Sequence, residues 1–313
     1  MGKNEAGLRT PKATSWDKTT ASNRGWPVWK GSFVIARISG AAARGILVAL
    51  LVTTPALMLP DVVTDSSQIT MLVALIAAFL TFIEYNSNSP SIIEFRDAAP
   101  FNRLRFLALF ATVFLLTMIL KEQAHPTALS GALASIGTII GNAMDFPFSP
   151  VRMIVLMLPD DATTALVSSV RTSAGLAYLI SLLSMAAFLI LVRVMNWPAR
   201  HGAFNVWINL PLFDPTAGGD VITRLQRDAR FNVALGFLLP FLIPAVVKAT
   251  ADLVDPITMQ SAQTHIWTVT AWAFLPASII MRGIAMGKIA DMIEEKRRRT
   301  YAAEAAEDGL SLA

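Results

Sequence analysis

The stretch SAGLAYLISLLSMAAFLILVRV, residues 173–194, has one charged residue, Arg193, which stands next to its end. The rest of the stretch is almost continuously apolar, and about 20 such residues cross roughly 30 Å of hydrocarbon as an α-helix. A helix bonds its backbone N–H and C=O groups internally, so it can leave water at little cost. The sequence therefore predicts a transmembrane helix at this place.

Similar apolar stretches lie on both sides of this one. The composition agrees with them, because 54% of the 313 residues are hydrophobic and only 15% are charged, whereas a soluble domain carries about 25% charged residues. We therefore expect an all-α, polytopic transmembrane helix bundle with about six spans. The other predicted spans are residues 41–59, 69–83, 104–120, 233–247 and 265–281.

Basic residues beside the ends of these stretches predict their orientation, because such residues collect on the cytoplasmic flanks of membrane spans. They precede the first span and recur at residues 96–105, at 193–230 and after 281, whereas residues 61–65 and 252–255 contain acidic residues. We therefore expect both termini in the cytoplasm. The absence of cysteine favours a location in a bacterial inner (plasma) membrane. The net charge of +4 comes from basic residues beside the ends of the spans. Because orientation in the membrane accounts for them, no nucleic-acid partner is expected.

The sequence outside the spans divides the chain into three parts. Residues 1–32 are polar and are expected to form a mobile cytoplasmic tail, and residues 33–284 form the transmembrane domain. Within that domain, residues 196–232 combine aromatic residues and proline with arginine, which predicts an amphipathic cytoplasmic loop in the head-group layer. Residues 285–313 are expected to continue as a cytoplasmic helix and tail.

Residues 122–171, between the third and fourth spans, are too apolar for an ordinary loop. Gly137 and Gly141 form a G-x-x-x-G pattern on a predicted helix; because such small residues let two helices approach closely, these glycines are candidate helix-docking positions. Pro147 and Pro150 then interrupt the helix. Two structures fit this pattern: a re-entrant hairpin that turns at the prolines, and helices that lie on the outer surface of the membrane.

The polar stretch IIEFRDAAPFNRLRF, residues 92–106, joins the second and third spans and is called the elbow below. It is predicted to lie in the cytoplasmic head-group layer, with docking of a partner protein as the alternative. Phe95 and Phe101 are expected to dip into the head groups, and Glu94 and Asp97 to pair with Arg96 and Arg103. The candidate elbow or interaction residues are Glu94, Arg96, Asp97, Phe101, Arg103 and Arg105.

Residue types that carry catalysis are scarce in this sequence. It has no cysteine, which excludes thiolate chemistry and Cys-ligated metal centres, and it lacks Gly-rich phosphate loops and the H-E-x-x-H zinc pattern. The spans are also nearly free of the ionisable residues that mark transport pathways. Glu84, together with carbonyls freed by Pro240 and Pro244, is the candidate transport path. We expect no cofactor, no metal and no catalytic activity.

Two functions fit these features. The first is an accessory, assembly or scaffold component that docks to other membrane proteins or to copies of itself. The second is a small-solute or ion transporter or channel, because three spans precede residues 122–171 and three follow, as in transporters with a 3+3 inverted topology. The lipid bilayer is a partner under both hypotheses.

Overall fold

The computed structural model of this protein describes residues 30–59, 64–195, 197–198, 204–214, 216, 218–250 and 259–311. These residues form helices and turns, with no strand among them. The predicted tail at residues 1–32 lies almost entirely outside this described part. The helices are α1 (Lys30–Met58), α2 (Thr64–Asn86), α3 (Phe101–Ala124), α4 (Ala128–Met144), α5 (Pro150–Leu156), α6 (Thr164–Val194), α7 (Val206–Asn209), α8 (Val221–Thr250) and α9 (Ala262–Ser311).

Six of these helices are long and apolar enough to cross a membrane: α1, α2, α3, α6, α8 and α9. Each of them coincides with one of the predicted spans, although α1 ends at Met58, one residue before the predicted end. The prediction of an all-helical protein with six candidate spans is therefore confirmed. The helices are longer than the predicted spans, because their polar ends continue the helical backbone. The clearest case is α9, whose 50 residues extend about 75 Å at 1.5 Å per residue.

The bundle is built around α9, which packs against α3, α6 and α8. α4 lies against α3 and α6, and α5 packs on α6 and α8. α1 and α2 form a hairpin that joins the rest mainly through α1 and α3. In the described part of the chain the backbone of α2 lies close to no helix other than α1, while the Tyr85 side chain at its end reaches Asn102 of α3. Leu75 and Phe79 on α2 are more than half exposed, as expected for a helix that faces lipid.

Buried apolar side chains form two clusters toward opposite ends of the bundle. One joins the elbow and residues 204–213 to the middle of α9, around Phe101 and Met286. The other joins α3, α5, α6 and α9 around Leu116 and Ile266. The first cluster gives the bundle an ordered layer at the end where the elbow lies, which is called the elbow end below.

The segment between α4 and α6 turns at the predicted prolines. α4 ends at Met144 and α5 begins at Pro150, with the Ser149 hydroxyl accepting a hydrogen bond from the backbone N–H of Arg152. Asp145, in this turn, forms ion pairs with Arg152 (2.8 Å) and Arg171 (2.6 Å). The predicted interruption of the helix is therefore confirmed, and the ion pairs fix the turn against α6.

Candidate functional site

An ion pair fixes the elbow to α9. The Glu94 carboxylate accepts hydrogen bonds from Arg282 Nε (2.6 Å) and Nη2 (2.8 Å), and such a bidentate pairing sets orientation as well as position. The expected pairing of Glu94 with Arg96 or Arg103 is wrong, because its partner lies 188 residues away in the sequence. Arg96 does pair with Asp97, at 3.2 Å.

Two of the three aromatic side chains of the elbow are buried within the protein. Phe95 and Phe101 are each 1% exposed, their ring centroids lie 4.5 Å apart, and they pack on Phe188 and Trp197. The backbone N–H of Phe95 donates to the carbonyl of Asn209 at 2.7 Å. The expectation that these rings dip into the head groups is wrong, because Trp197 and residues 204–213 cover the elbow.

Glu84 closes the turn between α2 and the elbow. Its carboxylate accepts hydrogen bonds from the Ser91 hydroxyl and from the backbone N–H groups of residues 91–93, the latter at 3.0–3.2 Å. Arg96 donates to the carbonyls of Glu84 (2.9 Å) and Ser87 (2.7 Å), where α2 ends and carbonyls lack helical partners. The Glu84 carboxylate is therefore bound within the chain.

Pro240 and Pro244 lie inside α8 and are buried. Pro244 has no N–H, so the carbonyl of Pro240 loses its helical partner; Trp272 Nε1 donates to that oxygen at 2.9 Å. The freed carbonyl is thus bonded within the protein. The structure does not bring these prolines and Glu84 together, because α2 makes no contact with α8 among the described residues.

Gly137 and Gly141 lie on the face of α4 that packs against α6. A Cβ atom on Gly175 of α6 would stand 2.5 Å from the Cα of Gly141, and one on Gly137 would stand 2.9 Å from Thr172 Cγ2. The G-x-x-x-G pattern therefore permits a close approach between two helices of the same chain. The opposite face of α4 carries larger side chains such as Ile139, which is 70% exposed.

A cavity of about 1000 Å³ lies at the elbow end, between the α1–α2 hairpin and the rest of the bundle. Its walls come from α1, the end of α2, the elbow, the first half of α3 and the middle of α9. α1 and α9 contact each other only slightly, which leaves room between them. The volume is at the upper end of the range for small-molecule sites, about 300–1,000 Å³.

The walls of this cavity change from polar to apolar in one common direction. Along α1 the lining runs from Arg44 to Leu50, and along α3 it runs from Arg105 to Phe110. α9 runs the opposite way, and there the lining passes from Phe274 to Arg282. Arginines thus gather at the elbow end, and an apolar body extends about 10 Å away from them at 1.5 Å of helix per residue.

Positive charge exceeds negative charge at the polar end of the cavity. The charged residues that line it are Arg44, Arg103, Arg105, Arg282 and Glu94. Arg105 lies 5.3 Å from the Phe101 ring centroid and donates to the Ser278 hydroxyl, with no carboxylate of the described residues within ion-pair distance. Glu94 is close enough to interact electrostatically with Arg105, but its carboxylate is bound to Arg282. Four arginines against one carboxylate leave this end of the cavity positively charged, so it suits an anion.

The sequence singled out only part of this site. Its candidates Glu94, Arg103 and Arg105 line the cavity, whereas Arg96, Asp97 and Phe101 do not. The residues that sequence reasoning missed as a site are Arg44, Tyr85 and Arg282. Arg44 and Arg282 stand at span ends, where basic residues are expected for orientation alone, so no further signal marked them.

Metal chemistry has no visible set of ligands here. In the ranges that the structure covers, no group of three or more His, Asp or Glu side chains is placed to hold a metal ion. Comparisons with protein-family models, with curated proteins and with solved structures gave no match. The function must therefore be argued from the residues of the cavity.

Proposed function

We propose that this protein binds a membrane amphiphile with an anionic head group and that it works by binding, without catalysis. The observation that carries the proposal is the common direction in which three walls of the cavity change from arginine to apolar side chains. A hydrocarbon chain fits the apolar body, and a phosphate or carboxylate fits the arginine end. Lipids with an anionic head group combine both parts in one molecule.

The head group supplies the selectivity in this proposal. A hydrocarbon chain gains little when it exchanges lipid neighbours for apolar side chains, because both surroundings are apolar. An anion beside a cluster of arginines with an excess of positive charge gains much more, since charges interact strongly where water is scarce. The arginine end of the cavity lies at the elbow and the start of α3, and lipid head groups occur at such span ends.

This proposal narrows the predicted class of accessory, assembly or scaffold components to one that binds a lipid. Docking to other membrane proteins, or to a second copy of the chain, is compatible with it. The transporter alternative has less support, because the backbone of α2 lies close only to that of α1, whereas α8 packs along α9 in the described part of the chain. The two halves of the chain are thus packed differently, unlike the repeats of a 3+3 inverted topology.

We further propose that the elbow end faces the cytoplasm, with both termini on that side of a bacterial inner membrane. The support is the basic character of this end, which includes Arg103, Arg193 and Arg282. α4 and the turn at residues 145–149 then lie at the outer face. Ile139 and Phe148, which are 70% and 87% exposed, would contact lipid there, either in a re-entrant hairpin or in a surface helix.

Native mass spectrometry of the full-length protein in mild detergent tests the proposed binding. We expect the wild type to retain an anionic amphiphile, and Val48→Trp, which fills the cavity from α1, to lose it. Leu75→Trp is the matched control, because it adds the same side chain to the lipid-facing surface of α2.

Folding of each variant is checked by size-exclusion chromatography, and Leu109→Trp replaces Val48→Trp should that variant misfold. Retention of the same amphiphile by a folded cavity-filled variant would overturn the proposal. So would a wild type that retains only zwitterionic lipid.

A further inference from the structure

We propose that the head group is a phosphate monoester, held between Arg44 of α1 and Arg105 of α3. Arg282 does not bind the head group, because its guanidinium is bound by Glu94. This inference rests on the proposed function, because it names the chemistry of the ligand in the same cavity. It depends on which of the arginines have N–H groups without a hydrogen-bond partner and a charge that no carboxylate pairs with.

Arg282 is fully engaged within the protein. Its Nε and Nη2 donate to the two carboxylate oxygens of Glu94, and its Nη1 donates to Asn232 Oδ1 at 3.1 Å. Its charge is balanced by Glu94, and each nitrogen of the guanidinium already has a partner. Arg282 therefore borders the cavity without offering a strong anion site.

Arg105 is only partly engaged. One Nη donates to the Ser278 hydroxyl, the other lies 3.4 Å from Asn102 Oδ1, and Nε is buried without a hydrogen-bond partner. Among the described residues, no carboxylate forms an ion pair with it. A guanidinium has five N–H donors in a planar fork that matches the oxygens of a phosphate. Each Nη of Arg105 keeps a second N–H for such a ligand, whereas the buried Nε does not face the cavity.

Arg44 stands on the opposite wall, and no carboxylate of the described residues forms an ion pair with it. It donates to the carbonyl of Gly40 at 2.7 Å, and its guanidinium lies 4.6 Å from the centroid of the Tyr85 ring. Arg105 is also close enough to Tyr85 for an electrostatic interaction, and Asn102 lies beside the Tyr85 hydroxyl. The two guanidiniums thus flank one place in the cavity, where Tyr85 and Asn102 supply neutral polar groups.

Arg44, Arg105 and Arg282 share one carboxylate, Glu94, which leaves a net charge of about +2 at this place. A ligand with two negative charges matches it best. A phosphate monoester carries about −1.5 to −2 near neutral pH, with three terminal oxygens that accept hydrogen bonds. A phosphodiester or a carboxylate carries a single charge and leaves one guanidinium unbalanced. Arg103, which is exposed at the rim, adds positive charge that attracts the same ligand.

Competition binding on the purified full-length protein in detergent tests this assignment. A fluorescent phosphatidic acid serves as the reporter, and the competitors have matched acyl chains: phosphatidic acid, phosphatidylglycerol, a fatty acid and phosphatidylcholine. We expect the monoester to bind about tenfold more tightly than the diester or the carboxylate. Inorganic phosphate and glycerol 3-phosphate are included to separate a lipid head group from a free phosphate.

Variants of three arginines and Glu94 then test the roles of the charges. Arg44→Gln and Arg105→Gln should each reduce the preference for the monoester to about twofold or less. Arg227→Gln, an exposed position on α8, is the control and should leave the preference unchanged. Glu94→Gln should free Arg282 and tighten binding of the diester. Should Arg105→Gln misfold, Arg105→Lys keeps the charge and loses the fork.

The outcomes separate this inference from the proposed function. Equal affinity for monoester and diester, both well above phosphatidylcholine, would overturn the inference and leave the proposed function standing. If inorganic phosphate displaces the fluorescent reporter as effectively as phosphatidic acid does, the ligand is a free phosphate and the lipid head group is ruled out. If no anionic amphiphile competes better than phosphatidylcholine, the proposed function fails as well. If both folded variants, Arg44→Gln and Arg105→Gln, keep the preference for the monoester, Arg44 and Arg105 do not bind the head group.

Discussion

Glu94 and Arg282 join the elbow to α9 through two charge-assisted hydrogen bonds. Replacing Glu94 with alanine leaves the Arg282 guanidinium without its counter-charge. Loss of one partner from a buried ion pair costs about 3–5 kcal/mol, and because Arg282 is 28% exposed we expect roughly 2–3 kcal/mol here. Detergent-to-SDS unfolding titrations should show this decrease in the free energy of unfolding for Glu94→Ala.

A double-mutant cycle with Arg282→Ala separates the pair from other effects of each substitution. If the pair causes the loss, the double variant should be hardly less stable than either single variant. Additive losses would show that the two side chains act independently, which would contradict the role of the pair in holding the elbow.

Gly175 is the point of closest approach between α6 and α4. In Gly175→Ala, the new Cβ would stand 2.5 Å from the backbone Cα of Gly141, which cannot rotate away, so the helices must separate. Such overpacking costs about 1–3 kcal/mol, and the midpoint of thermal unfolding should fall. Gly287→Ala is the control, since its nearest neighbour would be Ala229 Cβ at an ordinary 3.7 Å. Equal midpoints for the two variants would refute the close packing.

At the scale of the elements, Asp220 connects the start of α8 to the extension of α9. Hydrogen bonds from the backbone N–H of Thr223 and from Arg297 hold the pKa of Asp220 below its usual 3.8. Because the folded-state pKa is the lower one, its contribution to stability is present above about pH 4 to 5 and is lost as the pH falls through the folded-state pKa.

Thermal unfolding at about pH 6 and about pH 3 checks this contribution, with Asp220→Asn as the comparison. The asparagine can still accept from Thr223 but has no charge to titrate. We expect the wild type to lose slightly more stability on acidification than the variant, by a small amount because both side chains of the ion pair are exposed. Identical losses would show that Asp220 does not link the two helices.

The helices of the bundle could be predicted from the sequence, because apolar length decides by itself whether a segment can cross a membrane. Their ends could not. α8 begins at Val221, well before the predicted span at residue 233, since the amphipathic residues between them continue the same helix. The polarity of the sequence shows where a helix leaves the apolar layer of the membrane. The helical backbone hydrogen bonds continue beyond that point, so the helix ends elsewhere.

The site was harder to predict than the helices. The Glu94 side chain binds Arg282, which lies 188 residues further along the chain, and the backbone N–H of Asp97 binds Asn209, 112 residues further along. No local pattern in the sequence encodes such pairs. Arg44 and Arg105 stand where basic residues are expected for orientation alone. Only the fold shows that they face the same cavity.

For the whole molecule, the absence of cysteine makes the proposed orientation directly testable. Asp97 at the elbow end and Asp160 between α5 and α6 have side chains that are 56% and 98% exposed. In spheroplasts, a membrane-impermeant maleimide should label Asp160→Cys, and it should label Asp97→Cys only after the membrane is opened. The reverse pattern would place the arginine end of the cavity outside the cell.

Binding of an anionic amphiphile in the cavity is tested most directly by photo-crosslinking. A phosphatidic acid with a diazirine in its acyl chain is added to the full-length protein in phosphatidylcholine nanodiscs, and labelled peptides are identified by mass spectrometry. We predict labelling of cavity residues such as Leu50, Phe110 and Phe274, suppressed by excess unlabelled phosphatidic acid. Labelling confined to lipid-facing residues such as Leu75 and Phe79, and insensitive to that competitor, would contradict the proposed function.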